Sequence, residues 1–322
     1  TVKKKMNIVE DNSNNNHNVV EKDRRFKTNV TENDIVNYWA EEKFKKTIEL
    51  WDLSDEEINN LKELKEAIKD ILHWKNQPNE VVRFMRARPK DLKAQVEMFK
   101  NMIEWRKENN VETILKDYTP DKLLWRYYPG AMLKGYDKEG DPVYLERLGV
   151  TDAPGLLARL GEEEMIKHAI WTRELISKGK WIHKYEKAMK RPVRRITIIE
   201  DLDGLSRRML WGGTLGAYNK IMRLDQDNYC ETAKKLIIIR APWIFRMIWG
   251  MVSYFFDPGV VAKMQFCGYD DYLEVLEKHM DLTILPKELF ENGKGEAEDE
   301  CPPYFDGGII PKEGEEEKDT RI

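Results

Sequence analysis

Apolar positions along this chain keep helical spacing in the first third and then alternate between short apolar runs and helical stretches. Ser54-Asp55-Glu56-Glu57 has the form of a capping box, after which Ile58, Leu61, Leu64, Ile68, Ile71 and Leu72 recur at helical spacing. A second helix carries Leu92, Val96, Phe99, Ile103 and Trp105 along its apolar side. The style changes near Tyr128. Residues 142–146, 195–200 and 236–239 read as strands, and residues 162–177 and, in the main, 204–222 as helices. Strands alternating with helices predict an α/β fold with a mostly parallel sheet under helical cover.

The most informative stretch runs from Leu236 to Lys263. Leu236-Ile237-Ile238-Ile239 is right for a strand buried on both faces. Ala241-Pro242 stops it, and residues 243–256 follow with a single charge, Arg246. Pro242 suits the first position of a helix. A helix apolar all round is buried or meets a bilayer. A span needs about 20 residues, and this run is too short. Asp257-Pro258 then reads as an N-cap and first-turn proline, which puts Lys263 on a short second helix.

The 322 residues are enough for one large and one smaller domain. Charge is unevenly placed: residues 287–322 hold 5 basic against 12 acidic side chains, so the rest of the chain is mildly basic although the net charge is −4. Mild basicity permits contact with an anionic membrane. The cysteines, Cys230, Cys267 and Cys301, are odd in number and lack metal-ligand spacing, which indicates a reducing compartment. Residues 1–10 have no apolar segment of the signal-peptide kind, although a start on Thr1 leaves a trimmed targeting segment open. Residues 1–28 are Asn- and Lys-rich and read as disordered. The acidic C-terminal stretches read as solvated tail, with Pro302-Pro303-Tyr304-Phe305 able to dock.

Candidate chemistry is sparse. Asp201 and Asp203 follow a strand, where α/β enzymes hold metal or ribose; the plainer reading is an Asp-Leu-Asp-Gly turn. Gly212-Gly213-Thr214-Leu215-Gly216 lacks the Lys and Ser or Thr of a phosphate loop. No histidine pair or nucleophile elbow supports a metalloenzyme or hydrolase. Arg83, Arg86 and Arg88 could bind phosphate or form a salt-bridged face. Glu231 and Lys263, each taken alone, read as surface charge.

Taken together, Arg83-Phe84-Met85-Arg86-Ala87-Arg88, Trp105-Arg106, Tyr128-Pro129, the run from Asp137 to Gly149, Asp201-Leu202-Asp203-Gly204, and Ile239-Arg240-Ala241-Pro242 leading to Phe256-Asp257-Pro258 resemble the CRAL-TRIO lipid-binding family. Within it they resemble the secretory-pathway phosphatidylinositol-transfer proteins. The resemblance covers roughly residues 81–289. It implies a helical N-terminal lobe on an α/β lobe whose sheet floors an apolar lipid pocket, with the apolar helix as its gate. On this reading residues 1–30 are a disordered tail, 31–120 the helical lobe, 121–290 the lipid-binding domain and 291–322 the acidic tail.

The resemblance implies headgroup contacts at Arg88, Glu231 and Lys263, with Val260 where well-studied members place a threonine. It keeps Tyr144 of the phosphatidylcholine contacts, but Leu133, Arg173, Ile196 and Ile198 replace the others. Phe245, Trp249, Val252 and Phe256 are assigned to the pocket, and Met247, Met251 and Tyr254 to the outside. The expectation is a monomeric phosphatidylinositol carrier, cytoplasmic and transiently at membranes. It would have no catalytic residues, metal, cofactor or nucleic-acid partner, and a lipid kinase is a candidate partner. The alternatives are a carrier of tocopherol, retinoid or sterol, and a metal-dependent phosphoesterase built on Asp201 and Asp203.

Overall fold

The computed structural model describes residues 41–72, 78–179, 181–210, 213–298 and 307–311. The expected disordered tail of residues 1–30 and the Pro302-Pro303-Tyr304-Phe305 motif lie outside them. The first layer is helical: α1 (Glu41–Trp51), α2 (Asp55–Ala67), α3 (Pro78–Ala87) and α4 (Leu92–Glu108). The capping box forms at α2, where the Glu57 backbone donates to Ser54 Oγ and the Glu57 carboxylate accepts from the Ser54 backbone. Leu61, Leu64, Val81, Phe84 and Phe99 meet in a common core. The arginines of α3 are tied down around it: Arg86 donates to Glu57 at 2.9 Å and Arg83 to the Arg194 carbonyl at 2.6 Å.

Two short helices, α5 (Ile114–Asp117) and α6 (Lys122–Tyr127), lead into the α/β part. It comprises β1 (Gly130–Tyr136), β2 (Pro142–Glu146), α7 (Ala153–Lys178), α8 (Trp181–Met189), β3 (Ile196–Asp201), α9 (Thr214–Asn228), β4 (Ala233–Ile239), α10 (Phe245–Val252), α11 (Pro258–Val261), β5 (Met264–Phe266) and α12 (Tyr272–His279). The strands lie in the order β1-β2-β3-β4-β5; the first pair is antiparallel and the others are parallel. This is the mostly parallel sheet that the alternation of strands and helices predicts.

Strand alternation divides the sheet into two faces. Leu133, Val143, Leu145, Ile199, Ile237 and Ile239 form one core with Val275 and Leu276 of α12. Tyr144, Ile198, Leu236 and Ile238 belong to the other face, which turns toward α7, α9 and α10.

The structure corrects several boundaries. Residues 204–222 are not one helix: a 3-10 turn at Arg207–Leu210 precedes α9, which runs on to Asn228. The helix expected over 162–177 is the second arm of α7, which breaks at Gly161, where φ is 82°. Only glycine takes that conformation cheaply. The apolar helix is also shorter than its composition suggests. Residues 242–245 form a turn, α10 covers Phe245–Val252 without a side-chain cap at either end, and Ser253–Phe255 tighten into a 3-10 turn. Lys263 lies past α11, at the start of β5, rather than on the short helix.

The expectation of a solvated tail from residue 291 fails for the residues described. Lys134 donates to the Glu296 carbonyl and Glu298 to that of Met132, so this stretch pairs along β1. Further on, Ile310 is buried and its backbone donates to Asp152 Oδ2 at 2.8 Å. Backbone pairing outweighs the acidity of the flanking side chains.

The helical layer is locked to the α/β part by a buried ion pair. Arg106 of α4 grips both oxygens of Glu174 on α7, at 2.9 and 3.2 Å, and Lys178 and the Tyr229 hydroxyl complete the shell. Burial alone would raise the Glu174 carboxyl, but Lys178 and Arg106 outweigh it and hold it at about 2. Arg106→Leu should therefore cost about 3–5 kcal/mol in urea unfolding, because it strands a buried carboxylate. The double variant Arg106→Leu/Glu174→Leu should cost clearly less than either single change. The contribution of Glu174 is fully present above its unfolded-state range and is lost as pH falls toward 2.

Candidate functional site

Part of the inner face of the sheet packs on the helices above it, with Tyr144 and Ile196 in one core with Ile170 and Trp171 of α7 and Leu224 of α9, and part of it does not. Between them lies an apolar cavity of about 110 Å³. Its floor is Glu200 and Leu202 of the β3 end, Ile238 of β4 and Met264 of β5. Its walls come from Met165 of α7 and from Leu215, Tyr218 and Ile221 of α9.

The lid is the apolar helix. Phe245, Ile248, Trp249, Val252 and Phe256 line the cavity, at the three- and four-residue spacing that keeps side chains on one side of a helix. The opposite side is apolar too, and it meets solvent. Met247 and Met251 are 45% and 40% exposed, while Trp243 and Tyr254 reach 74%. Large apolar side chains so exposed, beside Arg207 whose guanidinium lies over the Trp243 ring, mark a surface that meets something other than water.

The apolar walls hold a buried polar group of residues. Glu146 and Glu200 are direct partners on parallel β2 and β3. Arg173 of α7 clamps Asp225 of α9 at 2.8 and 2.7 Å and lies close to both glutamates. Tyr128 shares a hydrogen bond with Glu146. Glu200 faces the cavity and makes no side-chain hydrogen bond among the described residues. Burial first, then the neighbouring Glu146, pushes its carboxyl up to about 8, so it is largely protonated at neutral pH. Tyr218, also on the cavity wall, is pushed up by burial and by Glu200.

The residues assigned to the headgroup lie beside this cavity rather than in its lining. Glu231 sits between α9 and β4 with φ 56°. Lys263 meets it at 2.5 Å and Arg195 at 3.0 Å, and Arg195 stacks on Trp51 at 4.9 Å. Arg88 pairs with Asp257 at 3.5 Å, and it and Glu231 both act on the buried Cys230 thiol between them. Val260 is on α11, between this group and the lid. The structure thus joins Glu231 to Lys263 directly and sets Arg88 close by.

Tyr144 lies apart from the large cavity, on a smaller one with Gly130 and His168. Leu133 is on the opposite face of the sheet. Arg173 does not present a bare charge, because Asp225 neutralises it. The phosphoesterase reading loses its residues. Asp201 accepts from Arg240 at 2.9 and 2.5 Å and from Arg147 at 3.3 Å, and Asp203 pairs with Arg240. Both carboxylates therefore serve as ion-paired turn residues, and no metal-ligand cluster occurs among the described residues.

Glu200 and Tyr218 are the residues sequence reasoning missed as a site. The signal was present: Ile196, Ile198 and Glu200 share one face of a buried strand, and a carboxyl there is out of pattern.

Comparison with known proteins follows the same outline. Residues 127–289 match the model of the CRAL/TRIO domain. The protein named real-time from Aedes aegypti is 31% identical over 270 residues, covering 82% of this chain and 40% of that protein. The CRAL-TRIO domain-containing protein T23G5.2 of Caenorhabditis elegans is 32% identical over 245 residues, covering 74% of this chain and 33% of that one. The chain therefore spans well under half the length of these curated relatives. In three dimensions it is similar to the crystal structure of Sfh5, with a TM-score of 0.59 at 14% identity, over 79% of this chain and 95% of that one.

Glu200 makes a pH-dependent demand on stability. Its folded-state value of about 8 lies above the ordinary 4.5 of a glutamate, so the folded protein binds the extra proton between these values. Stability should fall as pH rises through that window. Glu200→Gln removes the dependence. The variant should match wild type near pH 4.5 and be more stable by on the order of a few kcal/mol at pH 8 and above. Thermal melts of both proteins across that range check the prediction.

Proposed function

The chain belongs to the CRAL/TRIO family, and from that premise we propose that it is a lipid carrier, taking one phosphatidylinositol molecule from a membrane and releasing or presenting it at another. The single observation that supports this most is the apolar cavity under a lid that is greasy on both sides. No covalent step is involved. Acyl chains gain about 0.8 kcal/mol per buried CH₂, and they gain about as much in the bilayer, so exchange is close to neutral and the lid sets its rate.

The preference for phosphatidylinositol rests on Lys263 and Glu231 beside Met264 at the cavity edge, with Arg195 and Arg88 near them. Cations suit the phosphate, and a carboxylate accepts inositol hydroxyls. No helix of the described residues is long and apolar enough to cross a membrane. Membrane contact is therefore assigned to the exposed side of α10. A carrier of another hydrophobe is the second reading, and unpartnered Glu200 favours it, since an acyl chain offers nothing to a carboxyl.

Lys263→Ala and Glu231→Ala should each slow vesicle-to-vesicle phosphatidylinositol transfer by about ten- to a hundredfold, as expected for loss of a hydrogen bond to a charged group. Each should shift the thermal transition only modestly. Unchanged transfer in both variants removes the headgroup assignment.

Met251→Asp should weaken binding to vesicles and slow transfer, because the new charge is desolvated at each docking. It should leave lipid already held in the cavity in place. Normal vesicle binding with loss of resident lipid would mean that the inner and outer sides of the lid are reversed.

A further inference from the structure

The lid is fastened to the body of the protein by two kinds of contact. Along its length side chains alone hold it. Ile244, Ile248 and Val252 form one cluster with Leu205, Leu215 and Tyr218, while the rings of Phe245 and Trp249 lie 5.7 and 5.0 Å from that of Phe266 on β5. Among the described residues no hydrogen bond or ion pair runs from residues 242–254 to the rest of the protein. Polar fastening is confined to the two ends. Before the lid, the Ala241 backbone donates to the Cys267 carbonyl at 3.2 Å. After it, Gln226 of α9 grips the chain on both sides of Phe256. Its Nε2 donates to the Phe255 carbonyl at 2.7 Å, and its Oε1 accepts from the Asp257 backbone at 2.5 Å. Nε2 also donates to the Met222 carbonyl of its own helix at 3.3 Å, which fixes the side chain from behind.

The two kinds of contact answer differently to a bilayer. Lipid tails are as apolar as a leucine side chain, so they replace the contacts along the lid at little cost. They offer nothing to a backbone N–H or carbonyl, which stays with its protein partner. The chain beyond Gln226's grip leads straight into the headgroup residues: Pro258 opens α11, the Lys263 backbone donates to the Val260 carbonyl at 3.0 Å, and the Lys263 side chain meets Glu231. We propose that Gln226 is the positioning residue on which the lid turns, so that docking frees residues 242–254 while residues 255–263 stay on α9. The proposal rests on the reading of the lid as a membrane-facing gate and adds an order of events to it. Acyl chains pass between cavity and bilayer while Lys263 and Glu231 keep their geometry, so the headgroup is the last part of the lipid released and the first captured.

The test measures distances between pairs of nitroxide spin labels on the full chain, in buffer and on phosphatidylcholine vesicles containing phosphatidylinositol. Cys230 and Cys267 are buried and Cys301 is replaced by serine, so labels go to introduced thiols. One pair joins Met247→Cys on the lid to Lys278→Cys, exposed on α12; the other joins Gly259→Cys, where an added side chain meets open space, to the same reference. With Gln226 in place, vesicles should lengthen the Met247 distance by more than about 5 Å, one helical pitch, and leave the Gly259 distance unchanged. Gln226→Leu should give the same distances in buffer, which shows that it is folded, but on vesicles its Gly259 distance should shift with that of Met247. Gln226→Glu still accepts from the Asp257 backbone and should keep Gly259 fixed. A Gly259 distance that moves with Gln226 in place, or that stays fixed in Gln226→Leu, would overturn the pivot and leave the gate standing. A Met247 distance that vesicles do not alter would overturn the gate reading and the pivot with it.

Discussion

A parallel sheet must be shielded from water on both faces, and here the chain shields one of them without filling it. Against α12 the strands pack side chain to side chain, with Leu145, Ile199, Ile237 and Ile239 fully buried. On the other face Tyr144 and Ile196 pack with α7 and α9, but toward the ends of β3 and β4 the helices stand off, and the gap is lined almost wholly by apolar groups. Such a cavity forgoes the dispersion contacts that a packed core would make. Ion pairs join the surrounding elements: Arg173 with Asp225 ties α7 to α9, Arg106 with Glu174 ties α4 to α7, and Arg240 with Asp201 ties the ends of β4 and β3.

Much of the scaffold was legible in sequence. β3 and β4 are rich in β-branched residues and β2 carries Val143, Tyr144 and Leu145 in a row, so all three read as strands, and the capping box marked α2. β1 was not legible, because Gly130-Ala131-Met132-Leu133-Lys134-Gly135-Tyr136 contains no β-branched residue and two glycines. β5 has only three residues, which no periodicity can mark. The ends of α10 were misjudged because an all-apolar run carries no capping signal. The helix read over residues 162–177 is the second arm of α7, whereas the first arm was not read, because Pro154, Gly155 and Gly161 interrupt any helical pattern there.

The site was less legible than the fold. Helical phase separated Phe245, Trp249, Val252 and Phe256 from Met247, Met251 and Tyr254, but phase carries no sign, and only the three-dimensional structure says which set meets the cavity. Glu231 and Lys263 came forward through family resemblance, since 32 residues of chain separate two groups that touch. Arg173 was read only as a replaced phosphatidylcholine contact, because the partner that neutralises it lies 52 residues away in the chain. Glu200 looked like the polar end of a strand, whereas β3 continues for one more residue and its carboxyl is turned inward.

The edges of the sheet bear on how such a protein survives its own opening. When a lid lifts, apolar surface is bared, and a bare strand edge nearby would invite pairing with a neighbouring copy. β1 is already occupied, by the stretch around Ala297 that hydrogen-bonds along it. β5 offers only Met264–Phe266, a template too short to nucleate a ladder. Both routes to amyloid-like growth are therefore blunted at the backbone. The hazard of an open state is then confined to side-chain stickiness, which a membrane surface can absorb and release.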